Sequence, residues 1–518
     1  MNVNTEKEVL FTEVQLYDGT GRTPLMADVA VKGDRIAAVA ESGTLKKTGA
    51  AVVEGRGLAL TPGFIDVHTH SDFAVARVPS GDSKISQGVT TGITGNCGFS
   101  SYLTEAKADT GIFAGTWCNF DAYADAVEKA HPAGNSAHLC GHNGLRVRVM
   151  GYEDRPATKE ELRQMKELLA EALEHGAAGF SSGLYYLPGK FAPTEEVKEL
   201  ASLLRGTGKP YATHMRNEST RLLEAVDEAM EIARAGDGNL EISHLKTSGE
   251  KNWGKIDALL EKIEKARAAG MNVHADRYPY IHSSTTLRMI VPPPFDVVDT
   301  ATLNARLRDS AEYRAELIRA MKEKGVDRPF DRDLLVWTSV PEHKRFFGKS
   351  MVEIGADLGI SPEEATVLLL SQGVTPRAAF GTMCEDNLEQ ILAKDWVMPG
   401  SDGNIRSFDD NGTHPRAFGT CPRFFRIASK FVPAAEVIRR MTALPAAKFN
   451  LTGRGLVAPG YFADLVLLDL EKYDSAADYA RPNVRAEGVR AVYVNGELAY
   501  SPDPEVKTAR PGRMLRIK

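Results

Sequence analysis

The chain is poor in the features that would place it outside ordinary globular proteins. It has five cysteines, at 97, 118, 140, 384 and 421. An odd number at irregular spacing is no disulfide framework, so free thiols in a reducing compartment are expected. No apolar run approaches the roughly 18 residues of a membrane span. The opening MNVNTEKEVL also lacks the basic and apolar regions of a secretory signal. A cytoplasmic location with no membrane partner is the resulting expectation. Nor is there a surplus of cations: 63 Lys and Arg stand against 69 Asp and Glu, a net charge of −6. Without a basic footprint, nucleic acid is not expected as a partner. What is present is 43% hydrophobic and 25% charged over 518 residues. That is the balance of a globular protein, at a length that suits one large barrel with a satellite.

Residues 1–60 hold short apolar or alternating segments separated by Gly and Asp turns, a β-meander pattern. Residues 453–518 repeat the style, with Asn495-Gly496 as a hairpin turn. The two ends are expected to pair as a small β-sandwich. Between them, residues 61–452 alternate. Apolar runs at 63–68, 89–97, 137–141, 177–184, 210–214, 239–244, 271–276 and 396–402 are mostly followed by helical patterns such as 158–176, 222–236 and 255–270. Strand–helix alternation signals a parallel sheet, and eight repeats point to an α/β fold of the (β/α)₈ TIM-like barrel type. Residues 281–345, Pro-rich and then charged and helical, are expected to be an insertion before the last barrel strand.

The chemistry gathers at the ends of those runs. FIDVHTH places His68 and His70 on one face of a strand terminus. Cys97 ends the second run, His214 the fifth, His244 the sixth and Asp402 the eighth. Residues far apart in the chain that share the carboxyl end of barrel strands converge in space. Imidazole, thiolate and carboxylate together suit zinc, whose catalytic sites keep one position open. Any one of these histidines alone would read as a satisfied core residue; six ligands in register do not. His142 reads as a pocket wall or a support for a ligand, and His274 as a core residue or such a support. His131, His175 and His343 carry no signal.

At these residues the chain resembles the amidohydrolase superfamily and, within it, the N-acyl-D-amino-acid deacylases (D-aminoacylases). The resemblance runs through PGFIDVHTHSD (62–72), KISQGVTTGITGNCGFS (84–100), LCGHNGLRVRVMG (139–151) and GAAGFSSGLYYLPG (176–189). It continues in YATHMRNES (211–219), ISHLK (242–246), ADRYPY (275–280), SDG (401–403), HPRAFGT (414–420) and GYFADLVLLD (460–469). It implies one tightly held zinc on Cys97, His214 and His244. It also implies a second, weaker site near His68, His70 and Asp402, empty or only partly occupied.

On this resemblance Asp402 is the general base and then the general acid of a hydrolysis that splits an N-acyl-D-amino acid into a carboxylate and a free D-amino acid. As a strand-end residue Asp402 also admits a plainer reading, as a helix N-cap. Lys246, Tyr186 and Arg416 match family positions that bind the substrate α-carboxylate, Tyr186 being preferred to its neighbour Tyr185. Arg288, at the start of the insertion, stands where it would reach an acidic substrate side chain, although an exposed loop arginine is an equal reading. Met289, Ile290 and Val291 beside it argue instead for an apolar pocket. His282 and Cys421 depart from the family pattern near the pocket. Two competing readings stand: a cyclic-amide hydrolase of the dihydropyrimidinase or hydantoinase kind, and a non-catalytic scaffold on the same barrel. The residues leave the oligomeric state open.

Overall fold

The apolar runs become parallel strands because the helices between them return the chain to the same end of the sheet. The computed structural model describes residues 8–46, 49–72, 74–103, 117–324, 330–410 and 412–518. The barrel strands are Phe64–Asp66, Val89–Thr94, Asn135–His138 continued by Cys140–Gly141, Phe180–Gly183, Tyr211–His214, Asn239–Ile242, Asn272–Arg277 and Val397–Pro399. Each pairs in parallel with the next. The eighth meets the first through Val67 N–H to the Pro399 carbonyl at 3.3 Å, Asp402 N–H to the His68 carbonyl at 2.7 Å, and a parallel bridge between Thr69 and Gly403. These contacts close the (β/α)₈ barrel.

Local sequence explains the helices that cover it. Lys159–Glu174 starts at a capping box, the Thr158 hydroxyl taking the Glu161 N–H while the Glu161 carboxylate takes that of Thr158. Met165, Leu169, Ala172 and Leu173 form its buried stripe, at the spacing of one helix face. Inside the barrel Ile65, Val67, Ile93, Leu139, Ala212 and Met398 pack with Phe449, Leu451 and Ile517, which seal the floor. No helix among the described residues is long and apolar enough to cross a membrane.

The two chain ends do pair. Ala59–Pro62 lies antiparallel to Leu465–Leu468, joining the strands of both ends in one eight-stranded mixed sheet. Its core of Phe11, Val29, Leu60, Leu465 and neighbours is separate from the barrel's. Asn495 and Gly496 make the expected turn with φ of 47° and 78°, values that Asn and Gly tolerate. The last residues depart from expectation: 512–517 leave the sheet and run along the barrel floor, Leu515 N–H bonding the Ser136 carbonyl.

The insertion also exceeds its expected limit of 345. Ser283–Thr286, Arg377–Phe380 and Asp333–Trp337 form an antiparallel sheet. With helices Thr300–Asp309, Met351–Leu358 and Pro362–Ser371 it surrounds a core of its own that reaches Phe380. Helices 351–358 and 362–371 have clean capping boxes, so in sequence they look like ordinary barrel helices.

A buried network fastens the β domain to the barrel. Arg454 pairs with Asp464 and donates to Asn495 Oδ1 at 2.9 Å, and Asn495 donates in turn to Asn135 Oδ1 on the third strand at 2.9 Å. Asp464→Ala would leave Arg454 buried without its counter-charge. A loss of about 3–5 kcal/mol is expected, read as a lower midpoint of urea unfolding.

Candidate metal centre

The ligand candidates stand just beyond the strand ends, where the backbone turns sharply. Cys97, His244 and Asp402 have φ of 55°, 38° and 48°, a left-handed conformation that non-glycine residues adopt only when their surroundings impose it. The packing there is close. A Cβ on Gly183 would lie 2.1 Å from the Cys97 carbonyl oxygen, so the fourth strand must end in glycine for the Cys97 turn to fit.

These turns bring six side chains together. Cys97 Sγ lies 3.8 Å from His214 Nδ1, 3.7 Å from His244 Nε2 and 3.3 Å from His68 Nε2. Asp402 Oδ1 is 3.1 Å from His70 Nε2 and 3.7 Å from His68 Nε2. Three donor groups have all their ligand atoms within 4.8 Å of one another: Cys97, His214 and His244; His68, His70 and Cys97; His68, His244 and Asp402. With bonds of about 2.3 Å to sulfur and about 2.05 Å to nitrogen, two ligands of a tetrahedral zinc stand about 3.6 Å apart. The Cys97, His214 and His244 spacings match that figure, so the donor set fits zinc in both chemistry and size.

The electrostatics agree. Burial alone would raise the Cys97 thiol, but charged His68 and the hydrogen bonds from His214 and His244 hold it well below its usual value. The site therefore keeps a thiolate. Burial would likewise raise Asp402, yet Arg416 at 2.8 Å and the nearby histidines hold its carboxyl well below the usual range. Tyr186 goes the other way. Burial first, then the negative charges of Cys97, Asp402 and Glu218, push its hydroxyl well above the usual value, so it stays a neutral donor. Its ring packs 4.6 Å from His214, and Tyr185, stacked at 5.7 Å, is the more exposed of the two.

Two carboxylates that sequence reading passed over organise the set. Asp276, on the seventh strand, accepts from His68 Nδ1 at 3.1 Å and from the His244 backbone N–H at 2.9 Å. Such a partner fixes the tautomer and ring orientation of a ligating histidine. Glu218 meets His244 Nδ1 at 2.9 Å and Lys246 Nζ at 2.5 Å. Both were in view as residue types: Asp276 at a strand end, Glu218 one turn past His214.

Of the expected substrate-binding residues, Lys246, Tyr186 and Arg416 border the metal group, and Arg416 also lies over the Tyr278 ring at 4.9 Å. Arg288 does not join them. Its guanidinium donates to the Asp296 and Val298 carbonyls and to the Thr300 hydroxyl, within the insertion. Another insertion arginine, Arg377, feels the charges of Asp402 and Tyr186. Burial pushes Arg377 down to about 10, with the Arg416 and Arg406 charges adding to that, while Asp402 and Tyr186 oppose it. Of the remaining histidines, His142 pairs with Glu196 at 2.9 Å behind the third strand, and burial pushes His274 down to about 2.

A model of the amidohydrolase family matches residues 51–328 and 341–500. The chain belongs to the amidohydrolase family. It is similar to the D-aminoacylase of Alcaligenes xylosoxydans xylosoxydans, 35% identical over 94% of this chain and 93% of that protein. The N-acyl-D-aspartate deacylase of the same organism is 33% identical over 98% and 95%. Among solved structures, the N-acyl-D-glutamate deacylase from Bordetella bronchiseptica, complexed with zinc and a phosphonate mimic of the tetrahedral intermediate, superposes with a TM-score of 0.82. The identity there is 30%, covering 99% of this chain and 100% of that one. An L-hydantoinase from Arthrobacter aurescens, at 15% identity and a TM-score of 0.57, shares the fold alone.

Two substitutions separate ligand from support. Cys97→Ser is expected to lose most of the tightly held zinc, read by elemental analysis after dialysis. Asp276→Asn keeps every ligand but is expected to weaken metal affinity by about 10- to 100-fold in a chelator competition.

Proposed function

We propose that this amidohydrolase is a zinc-dependent N-acyl-D-amino-acid deacylase, cleaving the amide to a carboxylate and a free D-amino acid. The observation that carries the reading is one mouth holding Cys97, His214 and His244 beside an ionised Asp402, with Lys246 and Arg416 at its rim. The full-length likeness to deacylases supports it over the cyclic-amide alternative, for which only the fold speaks. A decayed scaffold would have little reason to keep three ligand turns in a strained left-handed conformation.

In this reading Cys97, His214 and His244 hold the tight zinc, and His68, His70 and Asp402 border a weaker site. Zinc supplies Lewis acidity, lowering the pKa of water and polarising the substrate carbonyl. Asp402 accepts the proton of the attacking water and returns it to the departing nitrogen. Its ionised state suits the first step, and its contact with His70 holds Oδ1 in place for the second. Arg416 offers a planar fork and Lys246 a point charge for the α-carboxylate, while the neutral Tyr186 hydroxyl donates a hydrogen bond. Glu218 keeps Lys246 from swinging out of the mouth. The unpaired state of all five cysteines supports our reading of a reducing, cytoplasmic setting.

Zinc-loaded protein is expected to release amine from N-acetyl-D-amino acids but not from their L-enantiomers, and to leave hydantoin unopened, read as no N-carbamoyl acid by chromatography. Asp402→Asn with its tight zinc retained is expected to lower kcat by about 10²- to 10⁴-fold, and a loss below tenfold would remove the proton-transfer role.

A further inference from the structure

The β domain reaches beyond its own sheet. Between Leu465–Leu468 and Val489–Val494 the chain leaves the sheet as a strap over residues 470–488. The Tyr473 hydroxyl donates to the Gln87 carbonyl, just before the second barrel strand, at 2.7 Å. Asn483 Nδ2 donates to the Phe408 and Asp410 carbonyls, in the loop after Asp402, at 3.2 and 2.7 Å. Ala480 abuts the insertion so closely that a Cβ on Gly348 would lie 2.7 Å from its nitrogen. One segment of the β domain thus touches the barrel, the loop behind the site and the insertion.

Tyr479, midway along this strap, opens a chain of hydrogen bonds that leads to Asp402. Its hydroxyl pairs at 3.0 Å with Nδ1 of His282, the residue before insertion strand Ser283–Thr286. The His282 carbonyl lies 3.1 Å from His414 Nε2, and His414 Nδ1 accepts the Arg416 N–H at 3.1 Å. Arg416 then holds Asp402 at 2.8 Å. Burial, and after it the Arg416 charge, hold the His414 imidazole well below its usual value, so the ring is neutral. A neutral imidazole has one N–H. Nδ1 accepts, so Nε2 carries the proton and donates it to the His282 carbonyl. With both nitrogens engaged, the tautomer and the ring plane are fixed. The Tyr280 and Tyr479 rings meet His414 edge-on, at 5.4 and 5.1 Å. This matters at Arg416 because helix Arg416–Ala428 opens on Pro415, which offers no side-chain cap. The His414 ring satisfies the first helical N–H in its place.

We propose that Tyr479 and His282 are positioning residues for Arg416. Acting through His414, they set where its helix begins, and so where its guanidinium meets Asp402 and the substrate α-carboxylate. The proposal rests on the deacylase reading above and deepens it. The β domain and the insertion then bear on the reaction through one shared contact, although the candidate metal ligands all come from the barrel. A phenylalanine at 479 would fill the same space; the hydroxyl is what ties the strap to His282.

The test is kcat and KM of the zinc-loaded full chain and its variants, on whichever of N-acetyl-D-methionine and N-acetyl-D-glutamate is cleaved better. Tyr479→Phe should raise KM by about 3- to 10-fold, the size of one hydrogen bond, with kcat moved less than about threefold and zinc content unchanged. His282→Ala should match it. The double variant should be no worse than either single one, because both break the same link. His282→Asn, whose side-chain oxygen can take the Tyr479 hydroxyl, should recover most of the loss. Tyr473→Phe removes the strap's other hydroxyl bond and should lower the urea midpoint while leaving KM where it was. An unmoved KM in Tyr479→Phe, additive losses in the double variant, or an equal rise of KM in Tyr473→Phe would overturn the assignment and leave the deacylase reading standing. Failure of the unaltered chain to hydrolyse any N-acyl-D-amino acid would overturn both.

Discussion

The joint between the first and last barrel strands is the constraint on which the site depends. Asp66 sits in it, buried. Its Oδ1 accepts from the His68 and Ser401 backbone N–H groups, and its Oδ2 from Lys84 Nζ at 2.7 Å and the Ser401 hydroxyl at 2.6 Å. One carboxylate thereby sets the height of the chain just before His68 and just before Asp402. The ion pair with Lys84 leaves no uncompensated charge in the interior, which is what makes a buried carboxylate tolerable there. Were this joint to slip, the histidines of the first strand and the acid of the eighth would no longer share a metal-sized space.

Above that joint, environment decides what each residue can do. Cys97, Cys140 and Cys421 are all buried. Burial pushes Cys140 up to about 12 and Cys421 higher still, so both are inert thiols in packed surroundings. Cys97 has the same burial but three imidazoles around it, and they reverse the outcome. The same contrast separates Asp402, ionised beside Arg416, from Glu241, a buried strand carboxyl that finds no hydrogen bond among the described residues and is pushed well above its usual value. Charge placement, rather than residue type, distinguishes the reactive groups from the structural ones.

The barrel was legible in sequence because a parallel strand buried on both sides is a short apolar run, and eight runs with intervening helices admit few other closures. The candidate ligands that the fold brings together were legible for the same reason: His, Cys or Asp at the end of such a run has one place to go. Asp276 and Glu218 escaped notice because a supporting role is defined by whom a residue touches, and neither contact is local. The extent of the insertion was hidden by helices whose caps and stripes obey the same rules as barrel helices. Arg288 and Arg377 show the limit most plainly. Position along the chain favoured the first, but three acceptors within its own loop claim it, while the second lies on a strand outside the expected insertion.

The insertion's separate core has a bearing on how such a chain changes over generations. Leu303, Leu317, Met351 and Phe380 hold the insertion together without borrowing from the barrel's packing. Mutations confined to that core act on packing that the strand-end turns do not share. The insertion can therefore repack as a unit while the barrel's strand ends keep their geometry.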